Sequence, residues 1–496
     1  MSTVPVVRAF IRSRGRTPAS WLDRYTTLFG LAMLGAVLAR PVSSALAAIV
    51  HQADPSRTGA GIALITLTYA GLLATARAIG PLAVPAPDAA WLVLSPLDRR
   101  GVLGRTARLL LVISVLAGAT LGVGVLAVLG APDQLTIRLV TAVVLGLSAG
   151  VGGMALTVLS QSSQAWSSWL HVTLVAITLL AVVTALSAAG PARRFLTAVA
   201  TAPAALGAAL AAVAAATAIL LVRQAWSSLA RIPARSVLDA STRAGHVAGA
   251  AVGMDPGALT WITEDNHWRG RTLRSRPWPS LPAPLALAWQ DWRRLGRRPG
   301  RLAVLSGTAA LPALAAQAAG GVTAIVTGIV LAGALAAAAT ATWGARRDAD
   351  NPGLARLLGV DARSALAARA LLPALLSGVW LALALTGLTL AGVVAGPWWL
   401  FGPLSAAALA AGSLRMARRD PVDHSMPFIE TYFGTIPTGP LLWATNGVDL
   451  AALGCLPLML ALAAQPPALG GFLVAQALAG TVVLSGYLLR AVKSLG

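Results

Sequence analysis

Apolar residues in this chain fall in long unbroken blocks, separated by shorter stretches that carry most of the arginines. A helix crossing the hydrocarbon layer of roughly 30 Å needs about 20 mostly apolar residues. Measured by that length, the blocks predict spans near 25–50, 59–84, 109–130, 139–160, 170–190 and 196–222. After a long polar stretch, six more follow near 302–319, 322–343, 370–394, 398–414, 449–464 and 470–490. Helix is the expected form, because a spanning segment satisfies its backbone internally and no alternating ten-residue strand pattern is present. The pattern therefore predicts an all-α polytopic membrane protein of about 12 transmembrane helices. Two pairs of spans meet at very tight turns, Gly320-Gly321 and Gly396-Pro397-Trp398.

Composition supports the membrane reading. Hydrophobic residues make up 57% of the 496 and charged residues only 11%, against about 25% charged in soluble domains. The net charge of +21 taken alone suggests nucleic acid, but its distribution argues for topology. Cytoplasmic loops are enriched in Lys and Arg. Assigning alternate loops to two sides puts 32 basic residues on one side and four (Arg57, Arg138, Arg193 and Arg194) on the other. The expectation is a multi-pass plasma-membrane protein with both termini cytoplasmic and no nucleic-acid partner, its arginine-rich face able to meet anionic lipid. Ala45-Leu46-Ala47 after Pro41 resembles a signal-peptidase site, but the 24-residue basic lead is long for a signal peptide.

The connector divides the chain into a first six-span half (1–222), a cytoplasmic or membrane-surface segment (223–288) and a second half (289–496). Each half has its most charged short loop between its second and third spans. Both loops contain Asp-x-Arg-x-x-Leu, starting at Asp98 and at Asp361. Each half is also led in by a basic, Trp-containing segment, one around Trp21 and one with Trp289, Trp292 and Arg293, suited to an interfacial helix. Within the connector, Ser236 to Gly253 reads as an amphipathic helix, and Trp261 to Trp278 as an Arg- and Trp-rich surface segment. Residues 426–440 are too apolar for a solvated loop and too broken for a span, as expected of an interfacial or partly re-entrant piece.

Candidate chemistry is sparse. The one lysine, Lys493, follows Ala491-Val492, so the Gly-x4-Gly-Lys-Ser/Thr phosphate loop is missing. No catalytic, cofactor-binding or metal-ligating set is expected: the five histidines lack ligand spacing, Cys455 is the sole cysteine, and no nucleophile elbow appears. No acid lies well inside a predicted span, which argues against a proton-coupled carrier. Ser160, Ser162, Ser163, Ser167 and Ser168 read as a solvated loop flanked by Trp166 and Trp169. Arg40 and Arg77 are the unusual polar residues of the spans. Arg77 is expected to snorkel toward the cytoplasmic face; Arg40, before Pro41, is a candidate for meeting an anionic group. Gly118-x3-Gly122 and Gly146-x3-Gly150 predict close helix approach.

Three stretches carry a resemblance: Leu94-Ser-Pro-Leu-Asp98-Arg99-Arg100, Trp289-Gln-Asp291-Trp292-Arg293-Arg294 and Asp350-Asn-Pro-Gly-Leu-Ala-Arg356-Leu-Leu. Set in two six-span halves, they resemble the permease subunits of ABC-2-type exporters, more narrowly the fused twelve-span permeases and integral membrane proteins of actinobacteria. The resemblance implies a transport subunit without its own ATPase chemistry, with ATP and Mg held by separate cytoplasmic ATPase subunits, two per chain. It also implies coupling loops that seat on those ATPases through Asp98, Arg99, Arg100 and Arg105 in one half and Arg356, Asp361 and Arg363 in the other. The chain departs from the family at Pro191–Phe195 and Gln465–Leu469, minimal turns where the family carries an external re-entrant element. A secondary carrier or channel with a parallel repeat, or a non-transporting membrane scaffold, stays open from the sequence.

Overall fold

The computed structural model describes residues 55–84, 89–130 apart from 96, 134–186, 203–252, 279–351, 353, 357, 359–431 apart from 421 and 424, and 434–493. The regular elements of the described residues are helices apart from one short hairpin, and the chain forms two units, 1–245 and 246–496. Nine of the described helices are long and apolar enough to cross a membrane, ten if a pair bent by 59° counts as one span. The chain is thus a helical protein of multi-pass membrane character.

The first unit contains α1 (Pro55–Ile79), α2 (Arg99–Leu129), α3 (Leu135–Ser162), α4 (Gln164–Leu186) and α5 (Ala204–Ser228), with α6 (Ala234–Val252) running across the unit boundary. Helices α2 and α3 pack backbone to backbone. A Cβ on Gly118 would stand 2.7 Å from the Gly146 carbonyl oxygen, and one on Gly150 2.7 Å from that of Ser114. The expected small-residue contact is present, with the two glycine pairs meeting each other. At one end of this bundle residues 80–84 and 89–93 pack against the start of α2. They bury Leu82, Leu92, Val93 and Leu103 against Leu159, Leu229 and Ile232.

The serine cluster is not the solvated loop expected. Only Ser163 separates α3 from α4. Ser160, Ser162 and Ser168 turn their hydroxyls back to the carbonyls of Thr157, Leu159 and Gln164. Intrahelical back-bonding lets these polar residues sit in helix, so composition alone misplaced the boundary.

The second unit opens with α7 (Ala283–Gly296), followed by α8 (Pro299–Thr308), α9 (Leu311–Ala319), α10 (Ala324–Ala339) and α11 (Trp343–Asp350). Next come α12 (Ala362–Leu390), α13 (Phe401–Ala417), the antiparallel pair β1 (Phe428–Thr431) and β2 (Gly434–Pro437), and α14 (Thr438–Thr445). Helices α15 (Val448–Gly454), α16 (Leu456–Ala464) and α17 (Gly470–Lys493) complete it. Its core is formed by Trp380, Leu381 and Leu385 of α12, Trp398 and Phe401 at the start of α13, and Cys455 and Leu458. Both tight turns exist: Gly320 and Gly321 take positive φ between α9 and α10, as does Gly396 before α13.

Two predicted spans differ from the sequence reading. The 322–343 block bends by 59° between α10 and α11. The 449–464 block is two short helices broken at Cys455. Pro457, lacking an N–H, stands in the first turn of α16, where a proline is tolerated but a continuous helix is not. The fully buried Gln476 of α17 repairs the break: its Nε2 donates to the Gly454 carbonyl at 2.7 Å, and its Oε1 accepts from the Leu458 N–H at 3.1 Å. Residues 426–440 hold the hairpin, the one departure from an all-α fold among the described residues.

Candidate functional site

The two charged turns have the same local build. In the first unit Asp98 is the N-cap of α2, its carboxylate accepting from the Arg100 and Gly101 N–H groups at 3.2 Å. In the second, Asp361 is the N-cap of α12, accepting from the Ser364 N–H at 3.0 Å. Hydrogen bonding from Ser364 holds the exposed Asp361 carboxyl below its ordinary range. A carboxylate at this position satisfies donors that the first helical turn leaves open. Five residues on, Leu103 and Leu366 are both buried. Two residues on, Arg100 and Arg363 are both exposed. Four residues before the cap, Leu94 and Leu357 are exposed by 65% and 81%. The shared motif is thus a helix start with a buried leucine anchor, displaying one leucine and one arginine outward.

The exposed leucines belong to the site but escaped the sequence reading, which followed charge. Their signal was the spacing itself: Leu94 and Leu357 stand four residues before Asp98 and Asp361. Trp91, 79% exposed, enlarges the apolar face of the first turn. The arginines of that turn differ in use. Arg99 Nη1 donates to the Ile232 carbonyl at 2.7 Å and Arg100 Nη2 to that of Ser227 at 3.2 Å, tying the turn to the end of α5, whereas Arg105 is exposed on α2. Arg356 lies outside the described residues.

The lead-in segment of the second unit is α7, with Leu287, Asp291 and Leu295 on its buried face. Spacing by four places these on one stripe. Trp292 is 41% exposed, Arg293 is half-buried, and Trp289 is half-buried, its Nε1 without a hydrogen-bond partner among the described residues. The buried aspartate meets Arg369, which α12 carries two turns past Asp361. Arg369 Nη1 donates to Asp291 Oδ1 at 2.8 Å and to the Leu287 carbonyl at 3.2 Å. Its Nε and Nη2 grip Asp348 of α11 at 2.9 and 3.3 Å. Gly344 leaves room for the clamp, since a Cβ there would touch Asp291 Oδ1 at 2.6 Å. Burial pushes the Asp291 carboxyl above its ordinary range, against the pull of Arg369. Alongside, the Arg294 guanidinium lies 3.3 Å from the Trp343 ring centroid.

Of the intramembrane candidates, Arg40 lies outside the described residues, as does Trp21. Arg77 is in the last turn of α1, half-buried. Its Nη2 donates to Ser167 Oγ at 3.4 Å and its Nη1 lies 3.4 Å from His171 Nδ1. It reaches across to α4.

No curated protein and no solved structure gives a significant match to the chain. A family model does, over residues 53–427, a range that takes in both capped turns and the Arg369 clamp. On that match the chain belongs to the family of unknown function DUF6297.

Proposed function

We propose that this chain is the transmembrane permease subunit of an ATP-driven, ABC-type exporter, energised by separate cytoplasmic ATPase subunits. The observation that carries the reading is the pair of matching turns. Each starts the longest helix of its unit among the described residues and displays a leucine and an arginine at the same offsets from a capping aspartate. A partner pressing on such a turn acts on a continuous helix of 31 or 29 residues, because the cap and the buried leucine fasten the turn to it. In the second unit the Arg369 clamp extends that action to α7 and α11. Two turns make room for two ATPase subunits.

The same reading takes the chain as twelve spans in two six-helix halves in the plasma membrane, with both termini cytoplasmic. Its support is the arginine asymmetry between alternate loops. The absence of a phosphate-loop motif in the sequence fits a chain that leaves ATP and Mg to a partner.

The test is affinity purification of the full chain from membranes of its native host, with copurifying proteins identified by mass spectrometry. An ATPase bearing a phosphate-loop motif is expected in the wild-type sample. The double variant Leu94→Glu and Leu357→Glu, altered only at exposed positions, is expected to insert normally and lose it. Recovery without any ATPase, or full retention by the double variant, overturns the proposal. Transport that continues when ATP is depleted under a maintained proton gradient identifies a secondary carrier instead.

A further inference from the structure

Helices α2, α3 and α5 form an apolar groove of about 60 Å³ near the end where α2 begins and α5 finishes. Leu110, Leu111, Met154, Val158, Val222 and Trp226 are among its walls. Ser114, the one hydroxyl of the lining, turns back to the Leu110 carbonyl at 2.6 Å. The volume is well below the roughly 300–1,000 Å³ of small-molecule sites, so the groove suits a slim chain that runs on past it and not an enclosed solute. Leu111 and Trp226 form its open rim, exposed by 41% and 46%.

Two arginines stand at the depth of this groove. From Leu109 to Leu129 α2 rises about 30 Å, and from Ala204 to Arg223 α5 rises about 29 Å, each close to the thickness of the hydrocarbon layer. The edge of that layer therefore falls at Arg108 on α2 and at Arg223 on α5, next to the lining residues Ala107 and Val222. Both arginines are exposed. Arg108 Nε donates to the Gly104 carbonyl at 3.3 Å, and a Cβ on Gly104 would lie 3.8 Å from Cη2 of Trp226, so guanidinium and indole both stand beside Gly104 at the mouth. Among the described residues, the two Nη groups of Arg108 and the whole guanidinium of Arg223 have no hydrogen bond or ion pair. Helices α2, α3 and α5 carry no Asp or Glu, so the groove's own walls leave both cations unneutralised.

We infer that this groove is a discrete phospholipid site, in which Arg108 and Arg223 hold the phosphate of an anionic phospholipid and the groove takes the first part of one acyl chain. The leaflet is the one beside the arginine-rich loops. The occupant follows from the combination of cations and an indole at the edge of the hydrocarbon layer, where tryptophan is favoured, with an apolar slot below them. A free phosphate has no use for the slot, and an uncharged lipid has none for two unneutralised arginines. Arginine-rich loops attract anionic lipid anywhere along their surface, whereas the groove gives one lipid a fixed place. The inference stands apart from the transport reading, since it asks only what the groove binds.

The experiment uses the full chain in phosphatidylcholine nanodiscs containing a small fraction of phosphatidylglycerol with a diazirine high on one acyl chain. Photolabelled peptides are mapped by mass spectrometry. Label is expected to concentrate in 107–114 and 222–229, above that on the last turns of α17, where exposed Leu489 and Arg490 report ordinary contact with lipid beside a single arginine. Leu111→Trp, which fills the groove from its rim, should bring groove labelling down to the α17 level. Arg223→Gln should lower it about fivefold, the factor for one basic residue near an anionic surface, and Arg223→Lys should retain it. Unchanged α17 labelling shows that the variants are inserted and folded. Groove labelling no higher than on α17, or unmoved by Leu111→Trp, overturns the site. Full labelling in the double variant Arg108→Gln and Arg223→Gln, or equal labelling by a diazirine phosphatidylcholine, overturns the assignment of the anionic headgroup.

Discussion

Replacing Arg369 with Leu tests whether the clamp beneath the second turn is held by charge. The guanidinium is 2% exposed and Asp291 7%, so the substitution strands a buried carboxylate that water cannot reach. Asp348, 20% exposed, regains some solvent. Removing one partner of a buried pair costs about 3–5 kcal/mol, because the remaining charge is uncompensated. At roughly 2–4 °C per kcal/mol for a unit of this size, thermal unfolding in detergent should fall by roughly 6–20 °C.

The loss should depend on pH with a definite sign. Burial already raises the Asp291 carboxyl above its ordinary value, so protonation favours the folded state. Its favourable contribution is fully present below the unfolded aspartate pKa of about 3.9 and is lost as pH rises through the raised value. Without Arg369 the charged form is costlier still, so the damage in Arg369→Leu should shrink as pH is lowered from 8 toward 5. Adding Asp291→Asn should recover part of the stability at pH 8 and flatten the pH dependence, since the orphaned charge is gone. The groups facing Asp291 from α12, α11 and its own helix are Arg369, Asp348 and Arg294. A destabilisation below about 1 kcal/mol, the range of exposed pairs, or one independent of pH, would refute the reasoning.

Other perturbations probe the remaining joints. Asp98→Ala removes the α2 cap and should cost about 0.5–2 kcal/mol, read as faster amide exchange at Arg100 and Gly101 with the rest of α2 unchanged. At the matching cap, the Asp361 carboxyl is held below its ordinary range by Ser364. Its contribution is present above the unfolded pKa and lost as pH falls through the lowered value; Ser364 exchange should follow that course, and Asp361→Asn should abolish it. Gln476→Leu strips the partners from the Gly454 carbonyl and the Leu458 N–H. Each unsatisfied group costs about 1–3 kcal/mol, so thermal stability should fall well beyond that of Gln476→Glu at low pH, where the acid is neutral. Gly118→Val drives a side chain into the α3 backbone and should cost about 1–3 kcal/mol or more, whereas Gly71→Val, with open space around its Cβ position, should be tolerated.

Sequence pattern located most of the described spans because membrane thickness imposes a length that apolar runs reveal directly. It failed where the cause lay outside the run. The break at Cys455 depends on Pro457 for its cause and on Gln476 for its repair, and a single glutamine in an apolar helix carries no mark of the carbonyl it will meet. The serines between α3 and α4 look like a loop by composition, yet their hydroxyls return to the helix backbone. The glycine pairs indicated close packing, but not that they would pack on each other.

The candidate site shows the same division between local and distant causes. Asp-x-Arg-x-x-Leu was visible twice because every part of its role is local: a cap reaches three residues forward, and a leucine five residues on turns back to the core. The aspartates that drew attention as contacts for a partner are engaged with their own helices. What each turn exposes instead is a leucine and an arginine, the arginine of the first turn also bonded to the Ser227 carbonyl. The clamp had no such local signature. Asp291, Asp348 and Arg369 belong to three different helices, and each alone reads as an ordinary charge beside a membrane. Their convergence gives the second turn a connection to α7, while the first turn is fastened by Arg100 to a carbonyl in the last turn of α5 and by Arg99 to one just beyond it. The two turns are therefore alike in the face they show and unlike in what stands behind them. A force applied equally to both would move α2 and α12 alike, but would carry α7 along only in the second unit.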